Sequence, residues 1–144
     1  KYTESINTYE LKPFSDIDGN EVKNVFFPAL IRTDKKYYEG ASDQEKSTSM
    51  RYVYGDYGNV KEYYDDGEPG DDSDDLKAVI TYHKSKTLTD NRILSIPESI
   101  TVYGAGEEIR YRETMVDENT GKITILAFLY VSGCKCFPTS LAIG

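Results

Sequence analysis

Tryptophan is absent from the 144 residues, histidine occurs once, and methionine and cysteine occur twice each. With His83, Cys134 and Cys136 as the only histidine and cysteine residues, a closed four-ligand zinc cage of these types cannot be assembled. In a strand, the Cys134-Lys135-Cys136 spacing sets the two Cα atoms about 6.5–7 Å apart, the outer limit for a disulfide, so both read as ordinary thiols. No apolar run approaches the roughly 20 residues of a helical membrane span, and Ile123 to Val131 is short and alternating, so no membrane insertion is expected. Basic residues are also scarce: 17 against 25 acidic ones leave a net charge of −8. That balance argues against nucleic acid or an anionic membrane as partner, since both reward dense Lys and Arg. There is no Gly-x-Ser-x-Gly elbow, and no segment keeps a 3.6-residue apolar period over three turns.

What the chain has is tyrosine, 13 of them, and alternation. Leu76, Ala78, Ile80 and Tyr82 fall on one side of an extended run, with Lys77, Thr81 and His83 on the other. Met50 to Tyr54, Ile100 to Tyr103 and Ile109 to Met115 repeat the pattern. Glu98–Tyr103 and Glu108–Val116, joined by Gly104 to Glu107, read as a hairpin. The one helix candidate is the polar stretch Ser42 to Ser47. Ser85 to Arg92 reads as a polar connection, and 133–144 as an irregular tail to a single β domain spanning 1–144.

A turn phrase recurs within this pattern: Asp16-Ile17-Asp18-Gly19-Asn20, Asp56-Tyr57-Gly58-Asn59 and Asp117-Glu118-Asn119-Thr120-Gly121. Gly and Asn accept the positive φ that a hairpin turn needs, and the leading Asp can bond the free N–H groups. The turn glycines lie 39 and 63 residues apart, with weaker glycine turns at Gly40 and Gly106 between them, suggesting a unit of about one hairpin per roughly 20 residues.

On these residues the chain resembles the RHS/YD-repeat family, named for a Tyr-Asp-x-x-Gly-Asn-x unit. The similarity runs from Arg32 to Ile123: Tyr37-Tyr38-Glu39-Gly40-Ala41-Ser42, then Tyr52 to Val60, the acidic loop Gly67 to Asp75, and Leu94 to Tyr103. Gly55 separates the tyrosine from Asp56, and Phe14-Ser15 stands in place of the tyrosine of the first copy. The resemblance implies an all-β array of antiparallel hairpins forming a curved, twisted sheet. Such a sheet would be a non-enzymatic wall segment of a secreted or cell-surface shell, which in toxin members encloses a separate toxic domain. Its implied partners are the neighbouring repeats of a parent chain. The opening Lys1 and the lack of a leader fit a piece of a longer protein, whose unpaired strand edges would invite self-association.

Three features compete with that reading. Asp65 to Asp75 holds six Asp and one Glu. It reads as a solvated loop, with a Ca²⁺ site on Asp71, Asp72, Asp74 and Asp75 as the alternative, because its spacing is not that of a helix-loop-helix calcium site; no cofactor is otherwise expected. The adjacent tyrosines Tyr37-Tyr38 and Tyr63-Tyr64 put one ring on each face of a strand, so one of each pair is expected in the core and the other is a candidate carbohydrate or protein contact. His83 with Ser85, and carboxylates such as Glu113, could serve a hydrolase only if a cleft gathered them. The preferred reading makes His83 a surface residue of a strand.

Overall fold

A computed structural model of the chain describes residues 2–16, 20–38, 40, 46–130 and 139–142. Nine strands form one antiparallel sheet in strict chain order: β1 (Tyr2–Ser15), β2 (Glu21–Tyr38), β3 (Lys46–Tyr54), β4 (Val60–Asp65), β5 (Leu76–Tyr82), β6 (Pro97–Gly104), β7 (Glu107–Val116), β8 (Ile123–Tyr130) and β9 (Thr139–Ala142). The sheet is open, because β1 and β9 stand at opposite ends of this order. One short helix, α1 (Lys86–Asp90), interrupts the β5–β6 connection.

The alternation dictates the register. Tyr52 of β3 faces Tyr63, which faces Ala78, which faces Val102. On the other face the row runs Arg32, Arg51, Tyr64, Lys77, Tyr103. Register shifts interrupt five of the eight strand pairs, as at Val53/Tyr54 and Val102/Tyr103. Each such irregularity bends the ladder and adds right-handed twist, so the sheet curves.

The chain order corrects the repeat length. In a meander, the connections after odd-numbered strands all lie at one end of the sheet. Gly58 and the Asp117–Gly121 turn are therefore on the same edge, separated by four strands, and Asp16 and Asn20 sit two strands earlier on that edge. Gly40 and Gly106 lie on the opposite edge. The 39-residue spacing thus spans two strands and the 63-residue spacing four, so the unit is one strand with its turn, about 16–20 residues, and not a hairpin. Gly19 lies outside the described residues.

Three further expectations differ from the structure. Lys46 and Ser47, inside the helix candidate Ser42 to Ser47, belong to β3, where pairing with Tyr37 and Lys36 overrides a weak local preference; 42–45 lie outside the described residues. The polar connection Ser85 to Arg92 contains α1, stabilised by the Ser85 side chain accepting from the Leu88 N–H. Within the tail 133–144, Thr139–Ala142 pairs with Ile125 to Phe128 as β9.

The sheet is one layer thick over most of its area. Among the described residues, only Ala29 and Leu88 are fully buried apolar side chains, both 1% exposed. The accessible surface of 9756 Å² exceeds by nearly a third the about 7,500 Å² expected of a compact monomer of this mass. Two places escape that exposure. The free length of β2 and its partner β1 fold back as a ribbon onto the β3–β4 turn: the Ser15 N–H donates to the Asp56 carbonyl at 3.2 Å, and Phe27 meets Tyr54 edge-on at 5.7 Å. The β5–β6 connection, Lys84 to Ile96, joins two adjacent antiparallel strands but crosses over the end of the sheet that carries the Asn59 and Asn119 turns.

Gly58 shows how tightly the ribbon seats. Its φ is +75°, and a Cβ there would lie 3.6 Å from the Phe27 ring. A single methyl is in ordinary contact, but the two Cγ atoms of valine would press on that ring while φ stays in the left-handed region. Gly58→Val is expected to lower stability by about 1–3 kcal/mol. Urea unfolding measures it, and an unchanged midpoint would rule out this turn geometry.

Candidate functional site

A cleft of 680 Å³ lies between the β3–β4 turn and the β5–β6 crossover. It is walled by Tyr54, Asp56, Lys61, Tyr82, His83 and Glu98. Its tyrosines are structural ties. The Tyr54 hydroxyl donates to the Leu30 carbonyl at 3.0 Å and that of Tyr82 to the Val60 carbonyl at 2.8 Å, and burial raises both phenol pKa values. Lys84 pairs with Asp56 at 3.8 Å across the mouth.

The acid–base candidates are tied in the same way. His83 lies just beyond β5, half-buried rather than on a strand surface, and its Nε2 is 2.8 Å from the Thr114 carbonyl. A carbonyl only accepts, so this nitrogen carries the proton. Thr114 itself is 4% exposed and its hydroxyl donates to the Pro97 carbonyl. The Ser85 hydroxyl is occupied as the cap of α1. His83 and Ser85 are therefore each partnered elsewhere, and no nucleophile–base pair is formed between them. Glu113, next to Thr114 on β7 and opposite Ser99 and Ala127, is not among the residues lining the cleft. These groups do not converge on one reacting position.

The crossover is instead a clamp on the turn phrases. The Asn59 side-chain amide donates to the Leu94 carbonyl at 2.6 Å, and that of Asn91 donates to the Asn119 carbonyl at 3.2 Å. Within the turns the acidic residues act as caps. Asp117 Oδ1 accepts from the N–H groups of Asn119 and Thr120 at 2.9 and 3.0 Å, and the bond from Thr120 leads the causes that lower its pKa. Asp16 Oδ1 accepts from the Asn20 N–H at 2.8 Å. Gly121 has φ +68° and donates to the Asp117 carbonyl at 2.7 Å. The clamp was not foreseen in the sequence. Its one local signal is Ser85 three residues before an apolar Leu88.

The tyrosine pairs split between faces as expected, but neither ring enters a core. Tyr63 tilts against Tyr52 at 5.4 Å, while Tyr64 turns to the charged face. There the Arg51 guanidinium lies 4.4 Å from the Tyr64 ring centroid and Lys77 5.1 Å from it. Arg51 holds Asp66 through two bonds of 2.6 and 2.7 Å, which lower the Asp66 pKa and raise that of Arg51. The Tyr64 hydroxyl donates to Glu62 at 2.5 Å, and this bond is the main cause that lowers the Glu62 pKa. Tyr38 stacks on Tyr2 at 4.3 Å and donates to Glu4; Tyr37 is half-buried opposite Thr3 and Lys46.

The acidic loop bonds largely to itself. Asp71 accepts from the Ser73 N–H and hydroxyl, Asp74 accepts from the Glu68 N–H at 3.2 Å, and Glu68 pairs with Lys46. Desolvation and then Asp66, Asp72 and Asp74 raise the Asp75 pKa. Among the described residues, no three His, Cys, Asp or Glu side chains converge as metal ligands, so Asp71, Asp72, Asp74 and Asp75 are not gathered into a cage. Cys134 and Cys136 lie outside the described residues. No family model matches the chain, and no curated protein or solved structure does so either.

Proposed function

We propose that the chain is a non-enzymatic wall segment of an RHS/YD-repeat-like protein, secreted or displayed at the cell surface, with neighbouring repeats as its partners. The observation that carries this reading is the single-layer sheet itself. A monomeric enzyme of this length would bury a core and hold its catalytic groups over it, whereas here the buried apolar side chains among the described residues are Ala29 and Leu88. The strictly sequential strand order and the clamping of the Asn59 and Asn119 turns by one crossover suit a modular wall built by adding strands.

The test is turnover of glycan, ester and peptide substrates. The expected result is no rate above buffer. Hydrolysis that His83→Ala or Glu113→Ala abolishes would replace the wall with an enzyme, and glycan binding lost in Tyr38→Ala and Tyr64→Ala would replace it with a binding module.

A further inference from the structure

We infer that β1 is a self-complementary docking edge through which two copies of this chain join their sheets, antiparallel, about a two-fold axis through Thr8. The inference goes beyond the wall reading and rests on the edge alone; with a second copy on β1, neighbouring repeats would add at the β9 end of the order.

The outer edge of β1 has no partner strand among the described residues, and every residue from Tyr2 to Leu11 is exposed. The exposed side chains include Tyr2 at 59%, Ile6 at 40%, Tyr9 at 59% and Leu11 at 70%. A long edge of this kind, with its first proline only at Pro13, is a template for another strand. The bulge opposite Thr8/Tyr9 places its extra residue, Ile31, in β2, so the alternation of β1 runs unbroken to Lys12.

Symmetry then limits the register. An in-sheet two-fold axis stands normal to the sheet and returns each face to its own side, so the numbers of paired residues must sum to an even value. At a sum of 14, Glu4 faces Glu10 twice, a like-charge arrangement that disfavours pairing. Sums of 12 and 18 pair no opposite charges, and 22, which sets Glu10 against Lys12 twice, leaves only residues 10–12 between the two copies of Pro13. At 16, Glu4 faces Lys12 twice, Thr8 sits on the axis, and the two exposed Tyr9 rings become diagonal neighbours within about 7–8 Å. Charge complementarity over the stretch before Pro13 thus selects the second copy and its register together, with Lys12 turning from Glu10 of its own strand, 3.0 Å away, and Glu4 from Lys36, 3.9 Å away, to meet across the axis.

Cysteine scanning in a Cys134→Ser, Cys136→Ser background tests the register. Two residues on the axis have Cα atoms about 4.5–5.5 Å apart, inside the disulfide window of about 4.4–6.8 Å. Identical residues one place away lie about 8 Å apart, outside it. Thr8→Cys is therefore expected to crosslink on oxidation, whereas Asn7→Cys and Tyr9→Cys crosslink only when mixed. In sedimentation equilibrium the reduced protein should dimerise as concentration rises, and Lys12→Glu should weaken the dimer at least about tenfold with its strand circular dichroism unchanged. A chain that stays monomeric to about 1 mM, or crosslinks equally from positions 7, 8 and 9, would overturn the pairing. Either result leaves the wall reading to the hydrolysis assays, which do not depend on association.

Discussion

Leu88→Ala is expected to lose about 2–5 kcal/mol, the range for truncating a leucine whose cavity cannot collapse. Leu88 is the one large side chain under 2% exposed among the described residues. Domains of this size have about 5–15 kcal/mol to lose, and a sheet with so little buried apolar surface belongs near the low end. The loss should also be local before it is global. Without Leu88, α1 keeps its Ser85 cap but loses its buried anchor, so the Asn59–Leu94 and Asn91–Asn119 bonds should weaken and open together. Hydrogen exchange should then show lost protection at 86–96 and at the two turns, with β5 and β6 still protected. A loss below about 1 kcal/mol, or exchange raised evenly across the sheet, would mean that the crossover is not the clamp described here.

The features legible in the sequence were those that repeat at short range. A period of two gave the strands, as with Leu76, Ala78, Ile80 and Tyr82, because a pleated backbone enforces it whatever the surroundings. Asp-to-Gly turns were legible because positive φ restricts the residue choice: Gly58 and Gly121 both adopt it. The helix α1 was not legible, since five residues span too little of a 3.6-residue period to show a pattern. Nor was the edge on which each turn falls, which depends on counting every strand, including those whose turns lack a glycine. The fate of the tyrosines was hidden for a different reason. Tyr64 and Tyr63 have the same local sequence signal, yet one lies between two cations and the other against an aromatic ring, and only cross-strand register decides which. His83 likewise looked free because its partner, the Thr114 carbonyl, is 31 residues away.

Gly121→Val should rival the Leu88 change, and its cost can be divided by comparison with a second glycine. At Gly121, φ is +68° and a Cβ would lie 2.9 Å from Ile93 Cδ1, 3.2 Å from Ile93 Cγ2 and 3.3 Å from Ile96 Cδ1. At Gly106, φ is +84° but nothing lies within 4 Å. Alanine at Gly106 therefore meets only the backbone term, about 1 kcal/mol. Alanine at Gly121 meets that term and must also displace Ile93, which Ile96 confines from a second direction. Valine adds two methyl groups to the same space, so its total should reach about 2–5 kcal/mol, strain and overpacking combined. Because Ile93 and Ile96 belong to the crossover, the push should be felt at the far side of the clamp as well. The Leu94 carbonyl lies between them and holds the Asn59 amide at 2.6 Å. Chemical denaturation of Gly106→Ala, Gly121→Ala and Gly121→Val, with exchange at the Asn59 side chain followed by NMR, measures both effects. Equal losses for the two alanine variants would show that Gly121 is required by its backbone angle alone and that the crossover does not bear on the β7–β8 turn.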